Sequence, residues 1–377
     1  MIFDKMSGRW SVALAGLSSM LMASSVQAEF ALNMTEGVTP ISRDIYWLHM
    51  LVFWICVVIG LIVFAVMAWS IVYHRKSKGA VASNFHESTA VEILWTVGPL
   101  LILIAIAIPA TGILLDMEDA KTNADINLQV TGIQWKWKYT YVDEDISFIS
   151  SLAQSSRDVI KDPTGKENYL LEVDNPVVLP INKKIRFLFH SADVIHAWWV
   201  PEFAVKQDVV PGFINDSWAI IEEPGIYRGQ CAELCGKDHG FMPIVVHAVS
   251  QEEYAQWIAE KKSEAAAVAA LADQEFSMQD LLATGEKVYQ ANCMACHGAT
   301  GAGIPGAFPA MTGNSIVTGD IIEHTNVVMN GRAGTAMAAY KGQLSDVDLA
   351  AVITFERNSL GNSMGDLVQP SAIKNAR

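Results

Sequence analysis

Charge is scarce in this sequence: 18% of its 377 residues are Asp, Glu, Lys or Arg, and the cations are the rarer sign, 26 against 40. A formal charge of −14 gives the chain nothing that would draw it to a nucleic acid. Cysteine is sparse too, with five residues, four of them confined to two short clusters at 231–235 and 293–296. What is abundant is apolar side chain, 51% of the total, which excludes a disordered chain and points to a membrane. The length suits two or three domains rather than one module. Acidity concentrates in the middle: residues 118–260 hold 12 Lys and Arg against 22 Asp and Glu, whereas residues 1–117 hold 6 against 7 and residues 275–377 hold 6 against 9.

Lys5 and Arg9 precede an apolar stretch from Trp10 to Met22, and Val26-Gln27-Ala28 gives the small-x-Ala pattern of a cleavage site. Residues 1–28 therefore read as a removed signal peptide, with a short third membrane helix as the alternative. Residues 29–118 read as a transmembrane hairpin with helices at about 45–73 and 92–117. The run from Ile45 to Tyr73 would extend about 43 Å as a helix, enough to cross a bilayer. Between the two runs lies His74-Arg75-Lys76-Ser77-Lys78, and the positive-inside bias puts this loop in the cytoplasm and everything after Met117 on the far side. Glu92, at the start of the second helix, is either a solvated N-terminal acid or a residue on a proton path. His49 and Cys56 in the first span read as structural.

Residues 119–260 change to short alternating runs such as Ile126-Asn127-Leu128-Gln129-Val130 and Ile185-Arg186-Phe187-Leu188-Phe189, separated by turns such as Asp162-Pro163-Thr164-Gly165 and Glu223-Pro224-Gly225. This is the pattern of a β-sandwich or barrel. Its last turn holds Cys231-Ala-Glu233-Leu-Cys235-Gly-Lys-Asp-His239-Gly-Phe-Met242, with His196 upstream. Two thiolates, two imidazoles and a thioether form a soft donor set that selects copper over Mg, Ca or Mn. A mononuclear site needs one cysteine, so the second changes the count. Two thiolates can bridge two copper ions, each also taking one histidine and one weak ligand: the Met242 sulfur for one, and a backbone carbonyl near Glu233 for the other. A Cys231–Cys235 disulfide and a structural zinc are the alternatives, and neither uses Met242. Alternation would set Trp135, Trp137, Tyr139 and Tyr141 on one face, a stripe usual in a core, although an aromatic at the rim beside copper can carry electrons.

Residues 261–274 are Ala-rich and read as a semi-rigid helical tether. In residues 275–377, Cys293-Met-Ala-Cys296-His297 is the C-x-x-C-H signature of covalent haem c, with two thioethers to the porphyrin and His297 to the iron; a thioredoxin-type pair is the alternative. A methionine as sixth ligand raises the potential. Among Met311, Met329, Met337 and Met364, the loop residue Met337 is preferred and Met311 follows. Ser345 reads as the N-cap of the helix beyond this loop.

Together with Gln134-Trp135-Lys136-Trp137, Glu172-Val-Asp174-Asn175 and Arg357-Asn358-Ser-Leu-Gly361-Asn362, these motifs resemble subunit II of the haem-copper cytochrome c oxidases, in the variety with a fused cytochrome c. The resemblance implies a multidomain membrane protein: a two-helix transmembrane hairpin, an all-β cupredoxin-like Greek-key domain and an all-α c-type cytochrome domain. It implies binuclear CuA on His196, Cys231, Glu233, Cys235, His239 and Met242, and a magnesium at the subunit I interface held by the Glu233 side chain. It further implies that Trp135 is the tryptophan where electrons arrive and that Glu92 lies at the mouth of a proton channel. The partners implied are subunit I, subunit III and a cytochrome c or other electron donor, with the chain in a bacterial inner membrane and its CuA and cytochrome domains on the periplasmic side. Electrons would run from donor through haem c and CuA to subunit I, where dioxygen becomes water and protons are pumped. This chain by itself has no recognisable oxygen-binding site. A copper-delivery protein and a subunit of a nitric oxide reductase are the rival classes.

Overall fold

The computed structural model of the chain describes residues 33–81 and 86–377. The expected signal peptide, 1–28, lies outside the described residues. Helix α1 spans Pro40–Tyr73 and helix α2 spans Thr89–Glu118, both long and apolar enough to cross a membrane. At 34 residues α1 reaches about 51 Å. The helices start ahead of the expected Ile45 and Glu92 because their first turns are polar. Thr39 and Ser42 form a capping box with Pro40 in the first turn, and Ser88 precedes α2. Hydrophobic runs alone do not mark such starts.

Ten strands follow, in two five-stranded sheets. One has the order β3 (Ile146–Ser150), β2 (Lys136–Tyr141), β1 (Ile126–Ile133), β5 (Lys184–Ser191), β8 (Asn215–Ile220). The other has the order β4 (Val177–Pro180), β10 (Pro243–Val249), β9 (Gly225–Cys231), β6 (His196–Val200), β7 (Val205–Val209). The β1–β5 and β4–β10 pairs are parallel and the rest antiparallel. The facing sides bury Trp137, Tyr139, Tyr141, Phe187, Phe189 and Trp198 completely. On β2 these aromatics alternate with Lys136, Lys138 and Thr140, which point away from the core. Trp135 departs from the expected stripe. It lies in the turn before β2, half-buried at the edge of the core, so the two-residue period does not extend to it.

Both ends of the hairpin are tied to this domain. Ahead of α1, the Val38 N–H donates to the Glu202 carbonyl (2.9 Å), Thr39 Oγ1 donates to the Phe203 carbonyl (3.1 Å), and Arg43 pairs with Glu222. Beyond α2, Trp218 Nε1 donates to the Asp116 carbonyl (3.0 Å), and Lys184 Nζ donates to the Thr122 carbonyl (2.8 Å) while lying 4.3 Å above the Trp218 ring. The sandwich is thereby fixed to the membrane helices.

Helix α3, Gln251–Leu271, starts on the Ser250 capping box and runs through residue 260, where a change from β domain to tether was expected. Its first turns pack Tyr254, Trp257 and Ile258 on the sandwich core, and its Ala-rich second half is exposed. The remainder is helical: α4 (Met278–Asn292), α5 (Met294–His297), α6 (Ile321–Asn330), α7 (Asp346–Asn358) and α8 (Pro370–Ala376). Helices α4 and α7 meet at Gly285, where a Cβ would fall 2.1 Å from the Ala351 carbonyl oxygen, so only glycine allows the approach.

Candidate metal centre and haem site

His196 opens β6 and Cys231 closes β9, so pairing of these strands joins residues far apart in sequence. The Cys231 N–H donates to the Met242 carbonyl (3.1 Å) and the Ala232 N–H to the Ala197 carbonyl (3.0 Å), which folds the loop onto β6. The sulfurs of Cys231 and Cys235 stand 3.7 Å apart and unbonded. His196 Nδ1 lies 3.9 Å from the first sulfur, and His239 Nδ1 lies 3.5 Å from the second. Ligand atoms of His196, Cys231 and Cys235 all fall within 4.8 Å of one another. The Glu233 carbonyl is 3.3 Å from the Cys231 sulfur while its side chain is exposed, and Met242 is buried at the base of the loop. Two free thiols, each with its own imidazole, suit a pair of soft metal ions.

Sequence reasoning missed two supporting residues. Asp193 Oδ1 lies 2.9 Å from His196 Nε2, fixing the ring so that Nδ1 faces the sulfurs; an acid three residues before a candidate ligand was the available signal. Gly132 backs the same ring, where a Cβ would come 2.6 Å from His196 Cδ2. Burial opposes the charge on Asp193, but hydrogen bonds from His196 and the Gln134 and Val194 N–H groups outweigh it and hold the carboxyl below its ordinary range. Burial likewise opposes charge on His196, and Asp193 and Cys231 overcome it, raising the imidazole. The thiols divide: a hydrogen bond from Cys235 draws Cys231 down to about 3, and the resulting thiolate pushes Cys235 up.

Trp135 touches this loop directly. Its Nε1 donates to the Cys235 carbonyl (3.1 Å), which also accepts from Gln134 Nε2 (2.9 Å). Gly236 has φ 115°, and a Cβ there would lie 3.2 Å from the Trp135 ring. Glu92, by contrast, is exposed in the first turn of α2, on another element from the copper loop.

In the helical domain Cys293 and Cys296 are unpaired on one turn with His297. His297 Nδ1 lies 3.0 Å from the Pro309 carbonyl, which leaves Nε2 for a metal. Two thiols and a ring anchored by its far nitrogen fit a covalent haem with iron on His297. Met311 is buried two residues beyond Pro309, on the segment behind the His297 ring. Met337 is half-buried in the Gly331–Tyr340 loop, which closes through the Arg332 N–H to the Met337 carbonyl (3.1 Å). Met329 is buried and Met364 exposed. One buried pair had no sequence signal: His324 Nε2 and Glu356 Oε2, on α6 and α7, lie 3.0 Å apart.

The chain matches the family of the cytochrome c oxidase subunit II periplasmic domain over residues 126–249 and that of its transmembrane domain over residues 27–113. Residues 280–355 match the family described as cytochrome c oxidase, cbb3-type, subunit III. A probable cytochrome c oxidase subunit 2 of Rickettsia felis is 34% identical over 260 residues, 68% of this chain and 81% of the relative. The cytochrome c oxidase subunit 2 of Cereibacter sphaeroides is 35% identical, over 58% of this chain and 77% of the relative. The solved periplasmic domain of subunit II from Bradyrhizobium japonicum is 43% identical, over 37% of this chain and 96% of that one, with a TM-score of 0.34. With a hairpin, a β-sandwich bearing a two-thiol loop and a helical domain bearing C-x-x-C-H in one sequence, the chain belongs to the cytochrome c oxidase subunit II family, in a form with a fused C-terminal cytochrome c domain.

Proposed function

We propose that this chain takes electrons from a donor on the periplasmic side of a bacterial inner membrane and passes them to subunit I of a proton-translocating oxidase, with His196, Cys231, Glu233, Cys235, His239 and Met242 as the CuA ligands. The observation that carries the assignment is the pair of unbonded sulfurs 3.7 Å apart, each beside a separate imidazole Nδ1. When bound, the copper pair and haem c supply one-electron storage and transfer. The chain's own residues do the rest. The surroundings of Cys231 favour loss of its proton, Asp193 orients His196, and burial of Met242 keeps water from the loop's base. A donor set that is held rigid reorganises little when its charge changes, which favours fast transfer.

Cys293 and Cys296 would attach haem c, and His297 would bind its iron. Met337 would hold the iron together with His297 in preference to Met311, because Met311 follows the Pro309 carbonyl that anchors the His297 ring and is buried in the core on that segment. Trp135, joined to the Cys235 carbonyl, carries electrons into the copper loop. The exposed Glu233 carboxylate, on a residue whose carbonyl faces Cys231, is suited to a magnesium shared with subunit I. Glu92, at the start of α2 just after the basic loop, lies at the mouth of a proton channel of the assembled enzyme. Subunit III completes the complex.

Purification of the native complex tests this reading. Co-isolation of a subunit with high-spin haem and copper is the expected result; non-haem iron in its place would move the chain to nitric oxide chemistry.

A further inference from the structure

The copper domain and the cytochrome domain are linked by more than α3. Lys136, on the outward face of β2 immediately after Trp135, donates from Nζ to Asn292 Oδ1 (3.0 Å) and lies 5.6 Å from the centre of the Tyr340 ring. Tyr340 OH in turn donates to the Asn292 carbonyl (2.8 Å), so both contacts of the lysine are braced against each other. Asn292 is held independently by its Nδ2, which donates to the Val288 carbonyl (3.0 Å) one turn back on α4. Two residues along the same strand, Lys138 Nζ lies 3.3 Å from where a Cβ of Gly342 would stand. Asn292, next to Cys293, is thus held by the residue that follows Trp135.

Opposite net charge does not explain this seating, since both domains carry more acid than base. The Lys136 contacts instead set a cation against a neutral acceptor and an aromatic face, a pairing little weakened by salt.

We propose that the cytochrome domain is docked rather than loosely tethered, with Lys136 as its latch on Asn292 and Tyr340. The occupant of the Trp135 face is then this chain's own 292–297 and 340–342 segments, and an external donor protein reaches the copper loop only by way of the cytochrome. This rests on the assignment of the two metal sites above, but the contact itself is testable without them.

Lysine labelling of the full-length protein in detergent, with an amine-reactive ester and read by mass spectrometry, tests it. Lys161 and Lys287, exposed on the two domains, serve as internal references. In the native chain Lys136 should label at least about tenfold more slowly than both, because its amine is tied to Asn292 and half-buried against Tyr340, and it reacts freely only when the contact opens. Asn292→Ala should raise the Lys136 rate several-fold and leave those of Lys161 and Lys287 unchanged. In a second variant, Lys136→Gln, a soluble one-electron donor should reduce copper directly, with haem content and the copper spectrum unaltered. Labelling of Lys136 at the rate of Lys161 in the native chain would overturn the proposal, as would an unchanged rate in Asn292→Ala or a Lys136→Gln protein whose copper is reduced only after its haem. Failure of the metal assignment would appear separately, as altered metal content with Lys136 still protected.

Discussion

Trp135 Nε1 donates to the carbonyl of Cys235 across 3.1 Å, a direct link between a half-buried aromatic ring and the backbone of a metal-loop cysteine. Trp135→Phe keeps a ring and removes the link. Electron input through the complex should then fall at least about tenfold, a barrier rise of about 1.4 kcal/mol, with copper content unchanged. Full turnover in the Phe variant would remove Trp135 from the path.

Asp193 sets the behaviour of His196. Asp193→Ala should lower copper affinity by about 10- to 100-fold, the usual cost of losing a partner that orients a ligand, as read by chelator competition. The pH dependence has two opposite signs. In the metal-free chain His196 is raised, so its pairing with Asp193 stabilises the fold below the ordinary histidine range and is lost as pH climbs through the raised value. Copper binding to these donors would release the protons they hold, so uptake should strengthen over the same climb. Copper affinity indifferent to pH would contradict the assignment of these donors.

Met337→Ala should abolish the far-red sulfur-to-iron absorption band of the oxidised protein, while Met311→Ala should retain it. The second variant should instead lose about 2–5 kcal/mol of stability, because Met311 is part of the buried core of the helical domain. Loss of the band in Met311→Ala alone would reverse the assignment.

Deep in the sandwich, Trp198 Nε1 donates to Tyr139 OH (3.2 Å), and both side chains are fully buried. Tyr139→Phe preserves the ring but strands the indole N–H, which should destabilise the domain by about 1–3 kcal/mol in denaturant titration. A neutral effect would mean that another acceptor reaches Trp198.

Much of this architecture is legible in sequence because it rests on short-range pattern. Period-two alternation marks β2, and ligands crowded between Cys231 and Met242 announce soft-metal chemistry. What pattern does not carry is long-range. Gly132 matters only because β1 brings it against the His196 ring, and no local period marks it, whereas Asp193 stands three residues ahead of His196 in the loop before β6. Lys136 reads as an ordinary outward strand residue until α4 and the Tyr340 loop cover it. Helix α3 crosses residue 260 because Tyr254, Trp257 and Ile258 pack on the sandwich, whereas composition separates the Ala-rich half from the rest. The start of α1 at Pro40 is encoded in capping hydrogen bonds rather than in hydropathy.

The most direct measurement is the electron paramagnetic resonance spectrum of the oxidised protein together with its copper count. Two coppers per chain and a seven-line hyperfine pattern, from one unpaired electron shared equally by both ions, are the predicted result. A single copper with a four-line pattern, or sulfurs of Cys231 and Cys235 joined by a bond in the active protein, would contradict the account.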